Sequence, residues 1–94
     1  MEKSMQRYLV LFKVSAGKGG EFWEGFSKLS AKPRTGVQLE VSYSLFGKWD
    51  FALLFEADSN ENALHFIGET LRSVSGISET FTTPLTLLKQ YSAK

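Results

Sequence analysis

The chain contains no cysteine. Disulfides, thiolate nucleophiles and cysteine-based zinc sites are excluded together, and the composition suits a reducing compartment; a cytoplasmic location is the expectation. Histidine occurs once, at His65, so no second imidazole stands at metal-ligand spacing, and neither a metal nor another cofactor is expected. Neither sign of charge is in excess. Eleven Lys and Arg against ten Asp and Glu leave a net charge of +1, which gives no electrostatic case for nucleic acid or an anionic membrane. No apolar run approaches the ~18 residues of a membrane helix, and polar residues 1–7 lack the apolar core of a signal peptide. Proline is scarce. Pro33 and Pro84 are the only two, so each is informative.

What is present reads as one α+β domain. A length of 94 residues suggests a single unit over 1–94, with 1–6 and 90–94 expected to fray. A chain of this size buries only about 60–65% of the surface its unfolded form exposes, so association would help it. Residues 47–56 organise the rest. After Gly47, the alternation places Trp49, Phe51, Leu53 and Phe55 on one face of a strand and Ala52 and Leu54 on the other. A strand that is apolar on both faces must be covered on both. Residues 8–14 form a first strand of the same kind.

Residues 15–20 break that strand. Gly17-Lys18-Gly19 invites a phosphate-loop reading, but the nucleotide motif needs Ser or Thr after Gly-Lys, and a plain strand-to-helix connection fits as well. Residues 21–31 show a helical stripe of Phe22, Phe26 and Leu29 beside Trp23, which is a core face or a ligand wall. Lys28 and Lys32 fall late in it, and Pro33 is its expected terminator. Lys28, Lys32 and Arg34 make a small basic patch. Residues 37–45 alternate strictly: Val37, Leu39, Val41, Tyr43 and Leu45 on one face, with Gln38, Glu40, Ser42 and Ser44 on the other. Phe46-Gly47-Lys48 turns this strand into the organising one as a hairpin.

Asp58 or Ser59 caps a second helix, with Leu64, Ile67, Leu71 and Val74 as its stripe and Ala63 and Phe66 beside it. Ser75-Gly76 stops it. Residues 77–89 form a last strand, and Pro84 makes that strand an edge or bends it there. The order strand, helix, strand, strand, helix, strand is the ferredoxin-like split unit, with strands one and three central. Two helices cover one sheet face. The other is apolar and open, which predicts a homodimer packed sheet to sheet, a dimeric α+β barrel.

Little catalytic chemistry is visible. His65 lies between Leu64 and Phe66 and is either a general base or a surface or helix-packing residue. Asp50 is a lone carboxylate between two aromatic residues. It is either a strand-end residue bonded to turn amides or to a surface cation such as Lys48, or the partner of a ligand ammonium.

Gly47-Lys48-Trp49-Asp50-Phe51, an acidic cap at Asp58, Leu71-Arg72-Ser73-Val74-Ser75-Gly76-Ile77 and Thr80-Phe81-Thr82 together resemble the effector-binding domain of the Lrp/AsnC family of transcription regulators. The likeness runs from Tyr8 to Lys89. It implies the fold above, dimers joined through their sheets, rings of dimers, and an amino acid or related effector held around a Gly-x-x-Asp turn. The positions carried over are Gly47 and Asp50, with Lys48, Trp49, Thr80 and Thr82 as neighbours. Two departures stand out. Only seven residues precede the first strand, where the regulators carry a helix-turn-helix domain, so the expectation is a stand-alone effector-binding domain without direct DNA contact. Ser75 replaces the proline that commonly precedes the glycine. The expected function is non-enzymatic effector binding and assembly, modulating regulators of the same family. The alternative is a cofactor-free, monooxygenase-like barrel enzyme with His65, Tyr43 or Asp50 carrying the proton, because the architecture is shared.

Overall fold

The computed structural model describes residues 4–93; residues 1–3 and 94 of the tails expected to fray lie outside the described residues. Four antiparallel strands, β1 (Gln6–Val14), β2 (Val37–Ser44), β3 (Phe51–Ala57) and β4 (Ile77–Leu85), form one sheet in the order β2-β3-β1-β4. Helix α1 (Gly19–Phe26) follows β1 and α2 (Asn60–His65) follows β3. This is the expected ferredoxin-like fold. The two strands apolar on both faces are the central pair, and Pro84 lies in the edge strand β4, where a missing N–H is tolerated.

One sheet face and the helices enclose the core. Tyr8, Val10, Phe12, Leu53 and Phe55 meet Phe22, Phe66 and Leu71, and all are nearly or fully buried. Aromatic contacts join the layers: Phe22 lies 4.8 Å from Phe51, and Phe66 lies 5.0 Å from Phe55, centroid to centroid. The aromatic stripe of α1 is therefore mostly core, except that Trp23 is exposed.

Three local departures from the sequence expectation have physical causes. First, α1 ends at Phe26, well before Pro33. The Ser27 hydroxyl donates back to the Glu24 carbonyl, and the Lys28 and Leu29 N–H groups donate to the Gly25 and Phe26 carbonyls in tight turns. Lys28 and Lys32 thus lie outside the helix. Secondly, β2 carries a bulge at Glu40. Leu39 pairs with Phe55 on the helix face, but Val41 pairs with Leu54 and Tyr43 with Ala52 on the open face. The strict alternation of 37–45 does not define one face; the extra residue turns the apolar set over halfway along. The Leu39 N–H donates to the Ala31 carbonyl at 2.7 Å beside this break.

Thirdly, the second helix is not regular. After α2 it widens into a π-turn at Phe66–Thr70 and tightens into a 3₁₀ turn at Leu71–Ser73. Phe66 and Leu71 are five apart and both fully buried; Leu71 and Val74 are three apart and both buried. A wide turn followed by a tight one keeps these side chains on the core side. Leu64, placed in the stripe by helical spacing, is instead 67% exposed. Ser59 is the cap, its hydroxyl accepting from the Asn62 N–H at 3.1 Å, while Asp58 accepts from the Asn62 side chain. Gly76 has φ of 98°, and a Cβ there would stand 3.1 Å from the Lys18 carbonyl oxygen, so the helix-to-strand turn requires glycine. Strand β4 stops at Leu85, short of residue 89, and 86–93 have no regular structure.

Candidate functional site

The apolar centre of the open sheet face is two cross-strand rows. Tyr43, Ala52, Leu11 and Phe81 form one; Val41, Leu54, Leu9 and Thr83 form the next. At one end of this face an ion cluster closes it, with Arg7 Nε 2.8 Å from Glu40 Oε1 and Nη2 3.6 Å from Glu56 Oε2. The bulge at Glu40 frees that side chain to reach Arg7. At the other end lies the loop of residues 45–50.

Three hydrogen bonds hold the loop. The Leu45 N–H donates to the Asp50 carbonyl at 2.9 Å, the Asp50 N–H donates to the Phe12 carbonyl at 3.1 Å, and the Val14 N–H donates to Asp50 Oδ2 at 2.8 Å. Asp50 is half-buried, and its carboxylate finishes the end of β1 where the ladder stops. The second oxygen, Oδ1, accepts no hydrogen bond from the described residues. Gly47 sits at φ of 128°, a backbone region closed to most side chains.

Trp49 does not continue the row of Phe51, Leu53 and Phe55. It precedes the strand and packs against Phe81, 6.4 Å between centroids, on the open side. The ammonium groups of Lys13 and Lys48 each lie 5.7 Å from the Trp49 ring. The loop end therefore combines two carboxylates, Asp50 and Glu79, an indole and two cations, of which Lys13 lies 3.8 Å from Glu79. Lys13 comes to this site from β1, far from the loop in sequence. Its signal was the alternation of β1, which puts residues 9, 11 and 13 on the open face.

Gly47, Lys48, Trp49 and Asp50 share this loop, but the two threonines do not share its surroundings. Thr80 pairs with Phe12 and Thr82 with Val10, so both lie in rows on the helix face of the sheet. Tyr43 is on the open face of β2, half-exposed. His65 is on the outer side of the helical layer, its Nδ1 2.9 Å from Glu69 Oε2 and its Nε2 3.9 Å from Glu61. Glu69 also meets Arg34 at 3.0 Å, and hydrogen bonds from His65 and then Arg34 hold its carboxyl below the usual range. Tyr43 lies in the row of the open face next to the loop that carries Asp50, whereas His65 is on the outer side of the helical layer, apart from both. Of the glycine-rich residues 17–20, Gly17 and Lys18 make a plain connection, in which the Lys18 N–H donates to the Ser15 carbonyl, and Gly19 and Gly20 open α1. Among the described residues no group of three His, Asp or Glu side chains could hold a metal ion, and no helix is long and apolar enough to cross a membrane.

No family model matches the chain, and no curated protein matches it. Solved structures do. FFRP-DM1 is 26% identical, with 86% of this chain and 99% of that one covered at a TM-score of 0.67. A transcriptional regulator of Neisseria meningitidis, solved as a complex with L-Met, is 15% identical over 93% of this chain at a TM-score of 0.73. AsnC of E. coli is 11% identical over 95% of this chain, again at 0.73. The chain spans 53% and 56% of those two proteins.

Proposed function

Taking the chain as a small Lrp/AsnC-like domain, we propose that it binds an amino-acid-like effector at the loop of residues 45–50 and assembles through its open sheet face. The observation that carries this reading is the charge arrangement around Trp49. Asp50 offers a carboxylate oriented by the Val14 N–H, and Lys13 and Lys48 offer ammonium groups over the indole. A zwitterion presents the complementary pair: its ammonium suits Asp50, and its carboxylate suits the lysines and the turn amides around Gly47. The L-Met complex of the Neisseria regulator supports an effector of this class.

The apolar rows of the open face end at this loop. Packing them against a second copy gives a two-fold dimer and brings two such loops to its ends, from which further dimers can join as a ring. The resulting module modulates regulators of its own family by sharing their effector or their assembly. Thr80 and Thr82, on the helix face of β4, stand apart from the proposed site.

A thermal-shift screen of the twenty amino acids tests the reading. A ligand at 100 times its dissociation constant stabilises the fold by ~2.7 kcal/mol, which on a domain of this size raises the Tm by at least about 10 °C. Twenty flat responses at millimolar concentration would oppose it.

A further inference from the structure

Between α2 and the edge strand β4 lies a cleft of about 260 Å³, lined by Tyr8, Asn60, Ala63, Leu64, Thr82 and Pro84. None of these residues is charged. Tyr8 is 4% exposed and its ring is stacked on Phe55 at 5.3 Å, so the position of its hydroxyl is fixed. That hydroxyl donates to Asn60 Oδ1. Burial pushes the Tyr8 pKa up, and the group stays a neutral hydroxyl. With Oδ1 occupied, the Asn60 amide N–H₂ and the Thr82 hydroxyl make no hydrogen bond to the described residues. The Tyr8 oxygen also keeps its acceptor capacity. Leu64 and Pro84, both exposed, supply an apolar lip.

We infer that this cleft binds a neutral small molecule with an apolar body of about one aromatic ring and a single hydroxyl, carbonyl or N–H head directed at the Tyr8–Asn60 pair. Its volume selects the size: a cavity of about 150 Å³ takes benzene, and pockets for drug-sized ligands begin near 300 Å³. Its lining selects the charge. A zwitterion entering here would lose hydration with no ion to pair with, so the cleft and the loop at Asp50 take different chemistry. The inference does not depend on the effector reading.

The test is an amide-resolved NMR titration with 4-methylphenol, and with L-phenylalanine as the zwitterionic control. The expected result is saturable shifts at Asn60, Ala63, Leu64 and Thr82 for 4-methylphenol alone, with residues 45–50 unmoved. Tyr8→Phe keeps the ring stack and removes the hydroxyl, and Leu64→Glu alters an exposed lip residue; each should weaken binding about two- to tenfold. Failure of those amides to shift saturably up to about 10 mM, a decade above the ~1 mM of a weak fragment, overturns the inference. So do saturable shifts confined to another surface, equal binding of L-phenylalanine at these amides, or parent-like affinity in either variant.

Discussion

Asp50 Oδ2 and the backbone N–H of Val14 meet at 2.8 Å, and this contact fastens the loop of residues 45–50 to the end of β1. It gives one carboxylate a structural task and leaves its second oxygen free for another. The two tasks separate by substitution. Asp50→Ala leaves the Val14 N–H without its acceptor and should cost about 1–3 kcal/mol. Asp50→Asn retains an acceptor and should melt closer to the parent than to the alanine variant. Thermal unfolding of the three proteins side by side checks the order.

The irregular second helix predicts a contrast that helical spacing would not. Leu71 is fully buried, so Leu71→Ala should cost about 2–5 kcal/mol. Leu64 is 67% exposed, so Leu64→Ala should stay within about 0.5 kcal/mol. Urea unfolding of both variants decides the matter. Equal costs would mean a regular helix with Leu64 turned inward.

These elements also mark how far the sequence could be read. Strand order and the central pair were legible, because residues 8–14 and 51–55 are apolar on both faces and Pro84 announces an edge. The bulge at Glu40 was not legible. An extra residue leaves the alternation of 37–45 intact on paper while reversing it in space. The π-turn left a faint trace in the spacing of Phe66, Leu71 and Val74, five and then three, but Leu64 and Ile67 offered a competing regular stripe. Pro33 misplaced the end of α1, since local bonds from Ser27 stopped the helix first. At the candidate site, Gly47 and Asp50 were readable from the turn. Lys13 comes from a strand distant in sequence, and its nearness to Trp49 needed the fold. Thr80 and Thr82 read as neighbours of the loop, but strand register turns them to the helix face.

The bulge has a consequence for assembly. Val41 and Tyr43 face the open side, whereas Val37 and Leu39 face the helices. On the proposed sheet-to-sheet dimer Tyr43→Glu would bury an unpaired charge, so the variant should self-associate at least about tenfold more weakly while keeping its circular dichroism spectrum. Sedimentation across low micromolar concentrations measures it. Unaltered association of the variant would exclude this face as the interface.

Acid should expose two surface ties. Glu21 accepts from the Ser75 hydroxyl at 2.8 Å and lies 3.3 Å from Lys18 Nζ; these contacts hold its carboxyl below the usual range, as His65 and Arg34 do for Glu69. A carboxyl whose folded pKa is depressed stabilises the fold fully above its unfolded value near ~4.3 and ceases to do so as pH falls through the folded value. The Tm of the parent should fall with pH in that acidic window. The double variant Glu21→Gln, Glu69→Gln should show a shallower decline, and an identical slope would assign the acid sensitivity to other groups.

Calorimetric titration of the amino acid found by the thermal-shift screen, into the parent and into Asp50→Asn, tests the effector reading most directly. A charge-assisted hydrogen bond contributes about 1.5–3 kcal/mol, so the variant should bind roughly tenfold or more weakly while remaining folded and associated. An Asp50→Asn protein that binds the same amino acid as tightly as the parent would contradict the reading and leave Asp50 with its structural bond to Val14 alone.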